Sequence, residues 1–238
     1  MAASKEEIEI IFDDAGMLVL NKPAGWVTTR EQIPLGFAAS PFDKGEEKNI
    51  VKYVEDWVEK YYPNPLPRKG IVHRLDKGTS GILVVAKTQE ALDNLKKQFK
   101  QRGVEKHYLA LACGNMPIDG QISMPINRSK YGFGKFKVDE EGKRAITEFK
   151  LIKKINIAGK VFSLLNINLK TGRTHQIRVH LNYLGWPIAG DRTYGGAAVA
   201  GLTRPFLHAY ELRIKHPKTG EILTFKAELP PDLEEILN

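Results

Sequence analysis

The densest group of reactive residue types is His73-Arg74-Leu75-Asp76-Lys77-Gly78-Thr79-Ser80-Gly81. One carboxylate, Asp76, stands between two cations, Arg74 and Lys77, in a glycine-bearing stretch. Nearby positive charge favours the ionised form and can lower a carboxylate pKa by roughly 1–3 units at close contact. An ionised aspartate is what a nucleophile or base at a sugar carbon requires. The competing reading is structural: Asp76 shapes a turn while Thr79 and Ser80 cap backbone groups.

A second segment runs Thr171-Gly172-Arg173-Thr174-His175-Gln176-Ile177-Arg178-Val179-His180-Leu181. Thr174 is placed to cap a helix whose first N–H groups face an anion, with Arg173 before it and Arg178 one turn in. An arginine so placed pairs bidentately with a carboxylate or a phosphate. Otherwise both arginines are solvated and both histidines are ordinary hydrogen-bonded residues. His175 and His180 are five apart, off a common helix face, and no Cys or Glu accompanies them, so no metal is expected. In Lys106-His107-Tyr108, Tyr108 either offers a ring and hydroxyl to a base or packs as a sheet tyrosine. Gly190-Asp191-Arg192-Thr193-Tyr194-Gly195-Gly196 is too short and wrongly spaced for a dinucleotide or phosphate loop, so no cofactor is expected.

These residues need elements to position them. Ile8–Phe12 and Met17–Leu20 read as short strands split by Asp13-Asp14-Ala15-Gly16. Residues 28–48 lack a period and form a loop. Asn49 can cap a helix to about Tyr62, with Ile50, Val54, Trp57, Val58 and Tyr61 on one face. Ile82–Lys87 is a buried strand, and Thr88 caps a helix with Leu92, Leu95 and Phe99 inward. Tyr108–Cys113, Ala145–Ile152 and Lys160–Lys170 read as strands, and Thr174–Leu184 as a helix. Leu212–Lys215 and Ile222–Ala227 are strands joined by Pro217-Lys218-Thr219-Gly220. A short helix from Pro231 closes the chain. Strands dominate without strict alternation, so the expected class is α+β: a mixed, largely antiparallel sheet with flanking helices.

Charge narrows the partners. The 238 residues carry a net +8, unevenly spread. Residues 1–60 hold 7 Lys/Arg against 12 Asp/Glu, and residues 228–238 hold 4 acids and no base. The middle, 61–227, holds 29 bases against 12 acids, a balance of +17. Such a middle favours a polyanion through phosphate contact and counterion release, although solvated lysines alone would give the same sum. The single cysteine, Cys113, excludes an internal disulfide and fits a reducing cytosol. The run Tyr108–Ile118 is too short to span a bilayer, and the N-terminus lacks a signal pattern. A cytoplasmic location, no membrane contact and a monomer are expected.

Together these segments resemble the RluA-type family of RNA pseudouridine synthases. The family's active-site motif is matched by His73–Lys87, and its second strong motif by Gly172–Leu181. Weaker marks follow in family order: Asn21-Lys22-Pro23-Ala24-Gly25, Lys106-His107-Tyr108, Ala145-Ile146-Thr147-Glu148, Gly190-Asp191-Arg192-Thr193-Tyr194 and Leu207-His208-Ala209. The resemblance implies the pseudouridine synthase fold, with a cleft across the sheet. It implies that Asp76 is the catalytic aspartate, Tyr108 the tyrosine near the target base, and Arg178 the arginine holding the aspartate. It implies a cofactor-free isomerisation of uridine in structured rRNA or tRNA. A single catalytic domain over 1–238, with no separate N-terminal RNA-binding domain, is expected.

RNA contact is expected from Arg74, Arg173 and His175, and from Arg128, Lys130, Lys135 and Lys137. The last four lie in residues 125–144 among Tyr131, Phe133 and Phe136, read either as a hairpin arm laid against RNA or as an exposed polar loop. Two other functions compete. One is a non-catalytic RNA-binding module on the same scaffold. The other is a glycoside hydrolase using Asp76 and Asp191, which needs carboxyl groups about 5–5.5 or 6.5–9.5 Å apart.

Overall fold

The structure is a computed structural model that describes residues 8–30, 51–117, 119–131 and 134–237. In chain order the elements are β1 (Glu9–Asp13), β2 (Met17–Lys22), α1 (Val54–Tyr61), β3 (Ser80–Ala86), α2 (Gln89–Lys100), β4 (Glu105–Cys113) and β5 (Asp119–Ser123). They continue as β6 (Ile126–Arg128), β7 (Phe136–Val138), β8 (Ile146–Ile157), β9 (Lys160–Leu169), α3 (Gln176–Tyr183), β10 (Leu207–Lys215), β11 (Ile222–Lys226) and α4 (Pro231–Glu234). The main sheet runs β1-β2-β3-β10-β4-β9-β8-β5, with β11 beside β10, while β6 and β7 form a separate ribbon. Among the strands of the described residues, β3 and β10 alone pair in parallel; the other neighbours are antiparallel. The α+β expectation therefore holds, and its sheet is mixed at one seam. Among the described residues no helix is long and apolar enough to cross a membrane.

Strands β2 and β3 are buried on both faces, so their sequences are mostly apolar. Every residue of β3, Ser-Gly-Ile-Leu-Val-Val-Ala, is buried. Alternate residues enter different cores, as a side-chain period of two requires. Met17, Val19, Ile82 and Val84 pack under Leu92 and Leu95 of α2. Leu18, Leu20, Leu83 and Val85 share the opposite core with Val58 of α1 and Ile177 and Leu181 of α3. Each such side chain contributes about 1.5–3 kcal/mol through burial.

Several boundaries differ from the expected ones for local reasons. Helix α1 starts at Val54 because Tyr53 is held extended by a parallel bridge to Val27, whose carbonyl accepts the Val54 N–H at 2.9 Å. The proposed cap Asn49, together with Ile50 and most of the 28–48 loop, lies outside the described residues. Thr88 caps α2 as expected, accepting from the Ala91 N–H at 3.2 Å. Helix α3 starts at Gln176, not Thr174, because His175 is left-handed (φ 55, ψ 18) and is itself the cap residue. β8 and β9 lengthen into one hairpin whose two turn residues, Ala158 (φ 50) and Gly159 (φ 77), both have positive φ. That is the geometry a tight two-residue hairpin demands. The parallel seam needs Gly81: its φ is +116, and a Cβ there would collide with the Ala209 carbonyl.

Candidate active site

The loop before β3 delivers Asp76 to the end of that seam. The Thr79 N–H donates to the Asp76 carbonyl at 3.0 Å, closing a turn, and the Gly25 N–H ties the Lys77 carbonyl at 2.8 Å. Thr28 brackets Leu75, its hydroxyl accepting the Leu75 N–H and donating to the Leu75 carbonyl. Much of the motif around Asp76 serves architecture. Ser80 bonds the His208 ring at 2.9 Å, and Arg204, held by Asp232, donates to Ser80 and to the Gly78 carbonyl. His73 accepts the Val84 N–H through Nε2 and stacks on Phe99. Burial pushes its pKa down to about 3, so it stays neutral. Asp76 keeps 17% of its side chain accessible.

Helix α3 brings Arg178 over the same point. Its Nη1 lies 3.4 Å from Asp76 Oδ2. Its stronger partner is Asp191, which accepts from Nε at 2.6 Å and from Nη2 at 2.9 Å. The expected Asp76–Arg178 contact is thus present, but the bidentate pair is Arg178–Asp191. The Asp191 side chain is 1% exposed and its Oδ1 also accepts the Thr193 and Tyr194 N–H groups. It is sealed against Arg178 and cannot serve as a second carboxylate facing a sugar, which removes the glycoside hydrolase reading.

Burial pushes the Asp76 pKa up, but His175, Arg178 and Arg74 outweigh it, so the carboxyl titrates below its ordinary value. Of these, Arg178 and Arg74 are the permanent cations. His175 is itself lowered, first by burial, so at neutral pH it acts as a dipole and not a charge. Its Nε2 lies 3.9 Å from Asp76 Oδ2. Tyr108 sits on β4, the strand beside the seam, with Ala209 and then Gly81 in register across from it. Burial, then the Asp76 charge, raises its phenol pKa, so it stays protonated.

These side chains line a cleft of about 550 Å³ whose walls, among the described residues, carry eight Lys/Arg and a single acid, Asp76. Arg74, Arg173, His175, Arg178 and Tyr108 all face it, as expected. Arg128, Lys130, Lys135 and Lys137 do not line it. They belong to the β6–β7 ribbon and the turn between, confirming a hairpin there; Phe133 lies outside the described residues. Lys137 pairs with Asp139 at 2.7 Å, and Arg128 lies 5.9 Å over the Phe136 ring. The ribbon's root abuts the site, with the Phe136 ring edge-on to His175 at 5.7 Å. His180 follows its structural reading, bonded to Thr147 and to the Met124 carbonyl.

Sequence reading gave three residues here no part in steadying Asp76. Asp191 was weighed only as the second carboxylate of a glycosidase, and Tyr194 only as part of a glycine turn and a weaker family mark. Lys22, fully buried, donates to the Pro23 and Trp26 carbonyls at 2.9 Å each. Burial lowers its pKa to about 7 against the attraction of Asp76. A lysine ending the apolar strand Met17-Leu18-Val19-Leu20 was the available signal.

One ionised carboxylate on the floor of a cation-walled cleft, with a protonated tyrosine beside it, is an arrangement whose charge suits a polyanion. A family profile described as RNA pseudouridylate synthase matches residues 16–183. The chain is 37% identical over 238 residues to Ribosomal large subunit pseudouridine synthase D of Nitrosomonas europaea, covering 97% of this chain and 64% of that protein. It is 36% identical over 236 residues to Uncharacterized RNA pseudouridine synthase YlyB of Bacillus subtilis, covering 99% of this chain and 73% of that protein. The solved structure of Human RNA Pseudouridylate Synthase Domain Containing 1 superposes with a TM-score of 0.74 at 27% identity, covering 99% of this chain and 90% of that one. The protein belongs to the RNA pseudouridylate synthase family, whose members are isomerases. The chain spans 64% and 73% of the lengths of those two curated relatives.

Proposed function

We propose that the protein isomerises uridine to pseudouridine within ribosomal RNA, with Asp76 as the group that meets the sugar carbon. The observation that carries this is the charge pattern of the cleft: one acid among eight bases, held ionised beside Arg178. The bases suit the phosphates of an RNA strand. The lone carboxylate suits C1′ of a nucleotide turned out of its stack, a move that costs a few kcal/mol and needs compensating contacts. In the reaction the N1–C1′ bond breaks, the base turns and C5 bonds to C1′. C5 loses a proton and N1 gains one, so no oxidant or co-reactant is consumed. Tyr108 supplies a flat, protonated surface beside the base. Arg74 and Arg173 grip the backbone at the cleft, and Arg128, Lys130 and Lys135 extend the grip along the ribbon, with Tyr131 exposed near its tip. Lys137 is exposed in its pair with Asp139, so a phosphate can take the carboxylate's place. The ribosomal choice rests on the printed names of similar proteins.

The test is Asp76→Asn, with pseudouridine mapped chemically in ribosomal and transfer RNA transcripts. Loss of product with RNA affinity retained is expected, because the change removes a nucleophile and little contact. Turnover within about tenfold of the parent would overturn the role of Asp76. Product on transfer RNA alone would overturn the ribosomal assignment. Wild-type protein that binds RNA but leaves every uridine unchanged would favour the non-catalytic module.

A further inference from the structure

We propose that Tyr194 is a positioning residue for this reaction: it accepts the backbone N–H of Phe136 and donates its own proton to His175 Nδ1, so that the imidazole presents Nε2–H to Asp76. The proposal rests on Asp76 being the reacting group. Tyr194 comes from the turn after Asp191 and is 7% exposed. Asp191 aims it, since Oδ1 accepts the Tyr194 N–H at 3.3 Å while the same carboxylate grips Arg178. The Arg178 guanidinium lies 4.9 Å from the Tyr194 ring centroid, which fixes the ring plane.

The direction of the hydrogen bonds follows from counting protons. Among the described residues the Tyr194 hydroxyl has two hydrogen-bond neighbours, the Phe136 N–H at 3.0 Å and His175 Nδ1 at 2.9 Å. An amide N–H can only donate, so the phenol oxygen accepts it. If Nδ1 also carried a proton, both neighbours would be donors and the buried hydroxyl proton would go unmatched, a costly arrangement. The phenol therefore donates to a bare Nδ1. A neutral imidazole with bare Nδ1 has its proton on Nε2, the atom that faces Asp76 Oδ2 at 3.9 Å. That distance is too long for a hydrogen bond; it is a donor aimed at the carboxylate, of the kind that tightens when substrate seats.

The charged groups facing His175 are Asp76 and Arg74 from the loop before β3, Arg178 from α3, and Asp191 from the turn that follows. Burial outweighs the two acids and keeps the ring neutral. Burial likewise raises the Tyr194 phenol to about 12, so it remains a donor through the physiological range. His175 holds a left-handed backbone (φ 55), uncommon outside glycine although tolerated by histidine. With its backbone fixed and Nδ1 bonded to Tyr194, the side chain has little freedom. Phe136 opens β7, so the ribbon that carries Arg128 is joined through Tyr194 and His175 to Asp76. Seating of the ribbon on RNA is thereby linked to the arrangement of the acid.

The experiment uses the full chain with ¹⁵N-labelled histidine, the His175 signals being assigned by their absence in His175→Gln. At neutral pH the parent should show a bare Nδ1 and a protonated Nε2; a protonated Nδ1 overturns the proposal without any variant. Tyr194→Phe removes the hydroxyl and keeps the ring over Arg178. It should mix the two tautomers and lower kcat by about tenfold, with KM for RNA within about threefold, as expected when an orienting hydrogen bond is lost. An unchanged tautomer, or a loss confined to KM, overturns the positioning role and leaves Tyr194 a support for the ribbon. The tautomer is read without turnover. Failure of the Asp76 reading would show instead as activity in Asp76→Asn.

Discussion

Replacing Asp191 with alanine would leave the Arg178 guanidinium inside the protein without its bidentate partner. The two side chains are 1% and 9% exposed. Breaking a pair buried this deeply typically costs about 3–5 kcal/mol, because the surviving charge is left uncompensated. Two smaller losses accompany it, the hydrogen bonds from the Thr193 and Tyr194 N–H groups, at about 1 kcal/mol each. One gain opposes them: Arg178 Nη1 already lies 3.4 Å from Asp76, which takes over part of the charge. The net should stay near 3–5 kcal/mol, a large share of the roughly 5–15 kcal/mol that stabilises a folded domain. With a urea slope of about 3 kcal/mol per molar for a chain of this size, the unfolding midpoint should fall by about 1–2 M. Asp191→Asn, which keeps an acceptor for the turn, should lose less. The decisive measurement is a pair of double-mutant cycles by urea unfolding, Asp191→Ala/Arg178→Ala and Asp76→Ala/Arg178→Ala. The first should show the larger coupling. A coupling below about 0.5 kcal/mol between Asp191 and Arg178, or one smaller than that of Asp76 with Arg178, would refute this account of what anchors the arginine.

Two further outcomes follow from other parts of the molecule. Lys22 has a folded pKa of about 7 against an ordinary value of 10.5, so between those values the unfolded chain holds a proton that the folded chain lacks. Stability therefore rises with pH in that window, and the difference between the parent and Lys22→Met should climb by about 1.4 kcal/mol per pH unit from pH 7 to 10. A flat difference would show that Lys22 stays charged in the folded protein. On the ribbon, Lys130→Ala/Lys135→Ala should raise KM for RNA and flatten the log–log salt dependence of binding by about one to two units, as for one or two lost phosphate contacts. An unchanged slope would place the ribbon away from the RNA.

The strand that follows the Asp76 loop was legible because it is buried on both faces. Ile82–Lys87 reads as a continuous apolar run, and it forms one side of the parallel seam. Thr88 was legible as a cap because capping is local chemistry within three residues. What failed was long-range. Leu207–His208–Ala209 gave no independent strand signal, since its pairing is decided by two partners, β3 and β4, remote in sequence. The α3 start was misplaced because Thr174 fits the cap position by type, whereas the backbone turns left-handed at His175 to serve Tyr194 and the ribbon. The same limit explains the site. Asp76 and Arg178 each sit in a dense motif, so spacing alone draws attention to them, and the structure brings them to 3.4 Å. Asp191 sits in a glycine turn whose composition speaks only of backbone geometry. Yet that turn holds the residue that neutralises Arg178 and aims Tyr194. A buried arginine this close to the acid it must steady needs a second carboxylate. With Asp76 alone, the pairing that stabilises the arginine would also tie up the oxygens that the proposed reaction uses. Splitting the work lets Asp191 bear the buried charge, while Asp76 is held by one longer contact and keeps a face open to the cleft.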